Sequence, residues 1–370
     1  MAQPPDPAPL PSFQDQELEV LPVERAETIP ARWYRDPAFL ALELLAIFAR
    51  TWQHVGHASQ LRLPGDHVTA TVAGKPVIVV RAGDGGLHGF YNVCRHRGGP
   101  IALRDGHADV LKCRYHGWTY RLDGMLRGVP HFNRTELFDK RDYGLVPVRV
   151  AEWQGLIFVR LDDGPEPVEA FVTGIADRLG PIRLDALRFA SRVDYEARCN
   201  WKVYVDNYLE GYHVPHVHPE LCTLYDFQAY RTEIADWYSL QVGPLSGKDT
   251  PYGLSEGEAL YYFIFPNLML NILPGRLQTN VVVPLDPDRC RIEFRYYYPD
   301  VDSEAARAVI ADDARFSDAV QAEDIEICER VQEGLESGIY DRGRFSADME
   351  TGVHHFQCLL KQAFRRHRSP

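Results

Sequence analysis

Two short motifs, Cys94-x-His96 and Cys113-x-x-His116, separated by sixteen residues, constrain this chain more than any other feature. Each motif carries one thiol and one imidazole. The residues around them favour turns: Cys94-Arg95-His96-Arg97-Gly98-Gly99-Pro100 in the first, and Cys113-Arg114-Tyr115-His116-Gly117-Trp118 in the second. A strand-like apolar stretch precedes each, at 87–93 and 108–111, so two hairpin tips are expected to clasp one centre between them. Cys2His2 zinc sites usually place both thiols in one motif and both imidazoles in another, which is not the arrangement here.

Two thiolates on one iron and two imidazoles on the other make the Rieske form of a [2Fe–2S] cluster. With neutral imidazoles the oxidised cluster carries no net charge, whereas four thiolates would leave it doubly negative, so the histidine ligands raise its potential. Cys94, His96, Cys113 and His116 are the expected ligands. His54, His57, His67, His88, His107 and His131 lack ligand spacing and read as ordinary polar histidines.

A second constellation follows at 200–218. A helix is expected over 201–212, stopped by Pro215, and such a broken helix end turns His213 and His218 toward one metal. Two histidines and one carboxylate form the facial set of non-haem Fe(II) oxygenases, which leaves positions for dioxygen and substrate. Asp324 is the expected third ligand, with Glu323 and Glu326 as close competitors and His216 as a spare. Its segment, 321–332, reads as a helix whose buried face runs through Ile325, Cys328 and Val331.

At 370 residues, two domains are the expectation. Hydrophobic and charged fractions of 45% and 25% are those of a globular protein, and a net charge of −12 argues against nucleic acid as a partner. Of seven cysteines, the five outside the cluster motifs (Cys199, Cys222, Cys290, Cys328, Cys358) show no framework spacing, so a reducing, cytoplasmic setting is expected. Residues 1–13 are proline-rich and read as a disordered lead-in rather than a targeting peptide. The longest apolar stretch, 39–49, is too short to span a bilayer and contains Glu43. No Gly-rich nucleotide-binding turn follows a strand, which points to a separate reductase.

Changes of period organise the chain. Residues 30–49 look helical, with Leu40, Leu44, Ile47 and Phe48 near one face. Short β runs follow at 68–72, 77–81, 89–93, 146–151 and 156–161, ending in the acidic, proline-rich turn at 162–167. Beyond lie a helix at 168–179, a strand at 188–199, aromatic loops, strands at 260–265, 268–273, 278–284 and 290–298, and C-terminal helices. The expected division is a disordered start and N-terminal helix over 1–49, an all-β cluster domain over 50–162, and an α+β catalytic domain over 163–370 that holds a mononuclear iron.

With these landmarks, and Asn200-Trp201-Lys202 and Tyr212-His213 beside them, the chain resembles the α subunits of Rieske non-haem iron oxygenases from about 48 to 360. The resemblance implies a helix-grip-like catalytic domain with an antiparallel sheet and C-terminal helices. It also implies O2 as substrate, NAD(P)H used indirectly through a flavin/iron–sulfur reductase or ferredoxin, and a homotrimer in which the cluster of one subunit feeds the iron of the next. The residue three before the first iron-binding histidine, Glu210 here where Asp is commoner, would link that histidine to His116 of the neighbouring subunit. Segments 200–210 and 262–271 most resemble the choline, glycine betaine and carnitine oxygenase branch, which acts on quaternary ammonium or N-methyl compounds. A cation of this kind is held by aromatic faces, and Tyr208, Tyr225, Tyr230, Trp237, Tyr252, Tyr261 and Phe263 are the candidates. Two alternatives stand beside this reading: an aromatic-ring-hydroxylating dioxygenase, and a Rieske electron carrier without oxygenase activity.

Overall fold

The computed structural model describes residues 10–218, 229–245, 257–273 and 275–368, and the proline-rich start at 1–9 lies outside them. The chain divides into two compact units, Phe48–Phe189 and Met1–Ile47 with Ala190–Pro370.

The helix expected over 30–49 is broken. α1 (Arg32–Arg35) ends at Asp36, whose backbone is extended (φ −77°, ψ 120°) because Pro37 disfavours a helical residue before it. α2 (Pro37–Glu43) starts afresh with proline in its first turn and the Asp36 carboxylate accepting from the Ala38 N–H at 2.9 Å. A π-helical turn, Leu44–Phe48, follows. Phe13, Trp33, Phe39 and Phe364 form an aromatic cluster with ring centroids 5.2–6.3 Å apart, which ties this segment to the C-terminal helix.

The unit Phe48–Phe189 is built on short strands: β1 (Gln53–His57), β2 (Asp66–Val72), β3 (Lys75–Arg81), β4 (Leu87–Tyr91), β5 (Gly106–His107), β6 (Leu111–Lys112), β7 (Thr119–Tyr120), β8 (Leu126–Gly128), β9 (Pro147–Trp153) and β10 (Leu156–Arg160). One sheet has the order β1-β10-β9-β4-β3-β2-β5, and a smaller one is β6-β7-β8. β3 is buried on both faces, and its pleat divides its side chains between two cores. Val77 and Val79 pack with Val55, Val68 and Ile157, while Ile78 and Val80 pack with Phe90, Trp118 and the two cluster-motif cysteines.

The expected boundary at 162/163 runs through this unit. Arg160 pairs with Asp162 and with Glu166 (3.0 Å), and Trp52 Nε1 donates to the Glu166 carbonyl at 3.0 Å. The helix expected over 168–179 is two pieces, α3 (Val168–Phe171) and α4 (Ile175–Leu179), separated at Gly174 with φ +83°. Val168, Phe171, Ile175 and Leu179 are buried, so the turn-rich stretch continues the domain instead of linking it to another.

In the second unit, β11 (Arg188–Ala197) leads into α5 (Trp201–Tyr208) and a separate turn, α6 (Val214–Val217). Pro215 therefore lies in the first turn of a new helix, where its missing N–H leaves no intrahelical bond unmade, and does not stop a helix over 201–212. β12 (Arg231–Ile234), β13 (Tyr238–Pro244), β14 (Glu258–Ile264), β15 (Leu268–Leu273), β16 (Arg276–Asp286) and β17 (Arg289–Tyr298) complete an antiparallel sheet in the order β11-β17-β16-β15-β14-β13-β12. Two long helices close the chain, α7 (Glu304–Glu336) and α8 (Thr351–Arg368). The buried face of α7 differs from the expected one. It runs through Asp313, Ser317, Gln321, Cys328, Gln332 and Leu335, while Val331 is 46% exposed, because this helix turns polar groups toward a cavity. The fold is thus α+β, with an antiparallel sheet and C-terminal helices. Among the described residues no helix is long and apolar enough to cross a membrane.

Candidate metal centres

The two cysteine–histidine loops close in the same way. The Cys94 N–H donates to the Gly99 carbonyl (2.8 Å) and the Gly98 N–H to the Cys94 carbonyl (3.0 Å). The Cys113 N–H donates to the Trp118 carbonyl (2.8 Å) and the Gly117 N–H to the Cys113 carbonyl (3.0 Å). Gly98 and Gly117, each four residues after its cysteine, have φ of +71° and +75°, a conformation that excludes most side chains. A Cβ at Gly99 would lie 3.0 Å from Cys113 Sγ, so the backbone of one loop rests against a ligand from the other.

Both thiols are buried, and the imidazoles lie nearer the surface, with His116 exposed. The His96 ring stacks on Trp118 (centroids 4.8 Å apart, 9° between planes) and sits 4.8 Å from the His116 ring. His96 Nδ1 is buried with no hydrogen-bond partner, as suits a nitrogen whose lone pair belongs to a metal. Desolvation, with His116 and Arg97 nearby, holds the His96 pKa below its ordinary value, so this ring stays neutral. Burial pushes the Cys94 thiol up against the opposing hydrogen bond with Tyr120 (3.2 Å), so its thiolate needs compensating positive charge. This donor set fits a Rieske cluster.

In the other unit, ligand atoms of His213, His218 and Asp324 lie within 4.8 Å of one another. Asp324 Oδ1 is 2.9 Å from His218 Nε2 and 3.7 Å from His213 Nε2. Each imidazole is held from behind through Nδ1, His213 by Glu210 Oε1 at 2.8 Å and His218 by Glu323 Oε2 at 2.7 Å. Carboxylates on both Nδ1 atoms fix the Nδ1–H tautomers and turn both Nε2 lone pairs toward one point, which is how histidine ligands are oriented. Asn207 Nδ2 donates to Asp324 Oδ1 at 2.7 Å. Burial alone would lower the His218 pKa, but Asp324 and Glu323 outweigh it and the net shift is upward.

Asp324 therefore stands with the histidines, Glu323 on the outer nitrogen of His218, and Glu326 and His216 are exposed. The roles of Asn207 and Glu323 were not foreseen. Asn207 lies three residues before Glu210, near the end of α5, a spacing that signals no function.

A cavity of about 930 Å³, including its mouth, opens beside these residues. Tyr204, Tyr208, Tyr230 and Tyr261 line it, with Phe294 and Phe316. Burial holds Tyr204 and Tyr208 well above the ordinary phenol pKa, so both stay neutral. Two of the aromatic candidates lie elsewhere: Trp237 is capped by the Arg366 guanidinium at 5.3 Å, and Phe263 packs on Phe356 at 5.4 Å. Tyr225 and Tyr252 lie outside the described residues.

Residues 51–146 match the Rieske [2Fe-2S] domain, and residues 184–365 match the ring hydroxylating alpha subunit (catalytic domain). The chain belongs to the Rieske non-haem iron oxygenases. It is 37% identical to the chloroplastic choline monooxygenase of Arabidopsis thaliana over 92% of this chain and 83% of that one. It is 31% identical to the carnitine monooxygenase oxygenase subunit of Escherichia coli (strain K12) over 92% and 95%. A solved quaternary ammonium Rieske monooxygenase, described for carnitine oxidation and inter-subunit electron transfer, aligns with a TM-score of 0.86 at 30% identity, over 93% of this chain and 99% of that one. The chain is therefore an oxidoreductase that uses a Rieske cluster, a mononuclear iron and electrons from a separate reductase. A zinc site and a carrier without a catalytic domain are both set aside.

Proposed function

We propose that this chain is the oxygenase component of a monooxygenase whose substrate is a quaternary ammonium compound, oxidised at a carbon bonded to nitrogen or elsewhere on the chain. The observation that carries the reading is the tyrosine-lined cavity that ends on His213, His218 and Asp324. A quaternary cation has no N–H to donate, so it is held by aromatic faces and by negative charge. Tyr204, Tyr208, Tyr230 and Tyr261 offer the former, and Glu210 the latter. The cationic side chain on the wall, Arg276, is neutralised by Asp313 at 2.6 Å. The likeness to choline and carnitine monooxygenases supports the same substrate class.

In this reading Cys94, Cys113, His96 and His116 hold the cluster, and His213, His218 and Asp324 hold Fe(II). When bound, the iron activates dioxygen with electrons that arrive through the cluster. Glu210 and Glu323 keep the two imidazoles in their ligating tautomers, and Asn207 orients the Asp324 carboxylate. The tyrosines position the substrate. A flavin/iron–sulfur reductase or ferredoxin delivers the electrons, and the chain works as a homotrimer in which Glu210 of one subunit meets His116 of the next. A cytoplasmic, reducing setting agrees with six described cysteines of which none is paired in a disulfide.

The test is an O2-consumption screen with a surrogate reductase and NADH, with N-methylated cations beside aromatic acids. O2 uptake matched by oxidised product is expected with the cations. Uptake matched by a hydroxylated ring would replace this reading with ring hydroxylation.

A further inference from the structure

Glu210 belongs to neither helix nor strand: α5 ends at Tyr208 and α6 begins at Val214. Its carboxylate is committed to His213, so where it stands depends on what holds the turn 209–213. Main-chain bonds secure the two ends of that turn, from the Leu209 N–H back into α5 (3.2 Å) and from the Val214 N–H to the Gly211 carbonyl (3.3 Å). Glu210 lies between them.

Two glycines show what presses on the turn from outside. A Cβ on Gly211, the residue after Glu210, would lie 2.9 Å from Cε1 of the Tyr230 ring. A Cβ on Gly352, in the first turn of α8, would lie 2.5 Å from the carbonyl oxygen of Leu209, the residue before Glu210. Neither glycine has positive φ, so space and not backbone conformation calls for glycine at both positions. Carbon–oxygen contacts lie at about 3.3–3.6 Å, so an alanine at 352 must displace something by roughly 1 Å. Val353, Phe356, Leu360 and Phe364 anchor α8, each at most 5% exposed, and the irregular turn is the side that gives.

Tyr230 is itself held in place. Its hydroxyl donates to Gln241 Oε1 at 2.8 Å, and Gln241 Nε2, on β13, donates to the Tyr208 carbonyl at 2.7 Å. Burial, Tyr261 and the Glu210 carboxylate keep the Tyr230 phenol above its ordinary pKa, so it stays a neutral donor. The tyrosine ring and the start of α8 thus bear on the residues that flank Glu210.

We propose that Gly352 and Tyr230 are positioning residues for electron transfer: by fixing the backbone at Leu209 and at Gly211 they set where the Glu210 carboxylate stands. This rests on the reading of Glu210 as the link between His213 and His116 of the next subunit, and it names what makes the link precise. Gly352 touches neither metal centre nor cavity, so Gly352→Ala moves the carboxylate without altering a ligand or the cavity wall.

Flash photoreduction of the iron-loaded, fully oxidised protein with a deazaflavin tests it without a substrate, because re-oxidation of the cluster then follows transfer to the ferric iron. Wild type, G352A, Y230L, Y230F, E210Q and the double variant E210Q/G352A are compared, each after iron and sulfide analysis. G352A and Y230L are expected to keep about three irons per two sulfides and to re-oxidise the cluster about tenfold or more slowly. Y230F, which keeps the ring on Gly211, should retain most of the wild-type rate. If Gly352 acts through Glu210, E210Q/G352A is no more than about twofold slower than E210Q. A wild-type rate in G352A or in Y230L removes that residue from the proposal, and Y230L still tests it if G352A does not fold. A double variant slowed by the full factor of G352A beyond E210Q overturns the positioning role and leaves the Glu210 reading standing. A wild-type rate in E210Q, or no re-oxidation in wild type, overturns the Glu210 reading and the positioning role with it.

Discussion

Asp324 and Glu323 are neighbours on α7, and direction separates them. Consecutive residues on a helix point about 100° apart. Asp324 is thereby turned between the two Nε2 atoms, and Glu323, 47% exposed, reaches His218 from its other side. The sequence pattern marked His213, His218 and an acidic helix, but not which of three carboxylates faces inward. Helix phase decides that, and here the inward face is Ser317, Gln321, Cys328 and Gln332, which leave no clear hydrophobic period to read. Asp324→Asn is expected to lower the iron content from about three to about two per two sulfides, as only the cluster irons remain. Glu323→Gln should retain the third iron but hold it roughly 10–100-fold less tightly. Iron and acid-labile sulfide analysis before and after chelator treatment measures both, and an E323Q protein that lacks the third iron before chelation would exchange the two assignments.

At the scale of elements, α5 is held by partners that no local pattern displays. Lys202 and Glu43 form a fully buried pair at 2.6 Å, and Trp201 Nε1 donates to the same Glu43 carboxylate at 2.7 Å. In the sequence Glu43 is one charge in an apolar stretch, and its partners lie about 160 residues away. β12 and β13 were hidden for a related reason. The first is short and polar and the second ends in Gly-Pro, so sheet pairing rather than composition makes them strands. The cluster loops, by contrast, were legible because ligands, turn glycines and flanking strands all fall within a few residues of one another.

One turn after Lys202, the half-buried Asp206 accepts from the Tyr34 hydroxyl (2.6 Å) and Gln357 Nε2 (3.3 Å), with Lys202 and Glu350 nearby. Burial outweighs these hydrogen bonds and raises its pKa from 3.8 to about 7. The folded chain therefore keeps a proton that the unfolded chain releases, so this contribution to stability is complete below pH 3.8 and is lost as pH rises through about 7. Between pH 6 and pH 8 the loss comes to about 1.4 kcal/mol. Asp206→Asn should flatten that part of the profile. Urea unfolding of both proteins at pH 6, 7 and 8 measures it, and parallel slopes would assign the pH dependence to other groups.

At the scale of the whole molecule, a chain that carries both a cluster and an iron needs a route between such centres, and the route proposed above runs through Glu210. Its Oε1 takes the His213 Nδ1–H and its Oε2 the His213 backbone N–H at 3.0 Å. A carboxylate has about four acceptor positions, so it has room for another imidazole. His116 is exposed on its loop beside Tyr115, itself 55% exposed, so the imidazole end of the cluster is open to another chain. The inter-subunit electron transfer described for the quaternary ammonium monooxygenase of similar fold supports a path from His116 of one subunit through Glu210 to His213 of the next. The longer Glu in place of Asp still has two oxygens to share between two imidazoles. Glu210→Gln keeps the side-chain length but has a single acceptor oxygen and no charge. It is expected to retain about three irons per two sulfides while slowing electron transfer from the reduced cluster by roughly 10–100-fold. Rapid-mixing absorbance of the reduced protein with O2 and substrate follows cluster oxidation in a single turnover. An unchanged rate in E210Q would remove Glu210 from the path and leave it only the task of orienting His213.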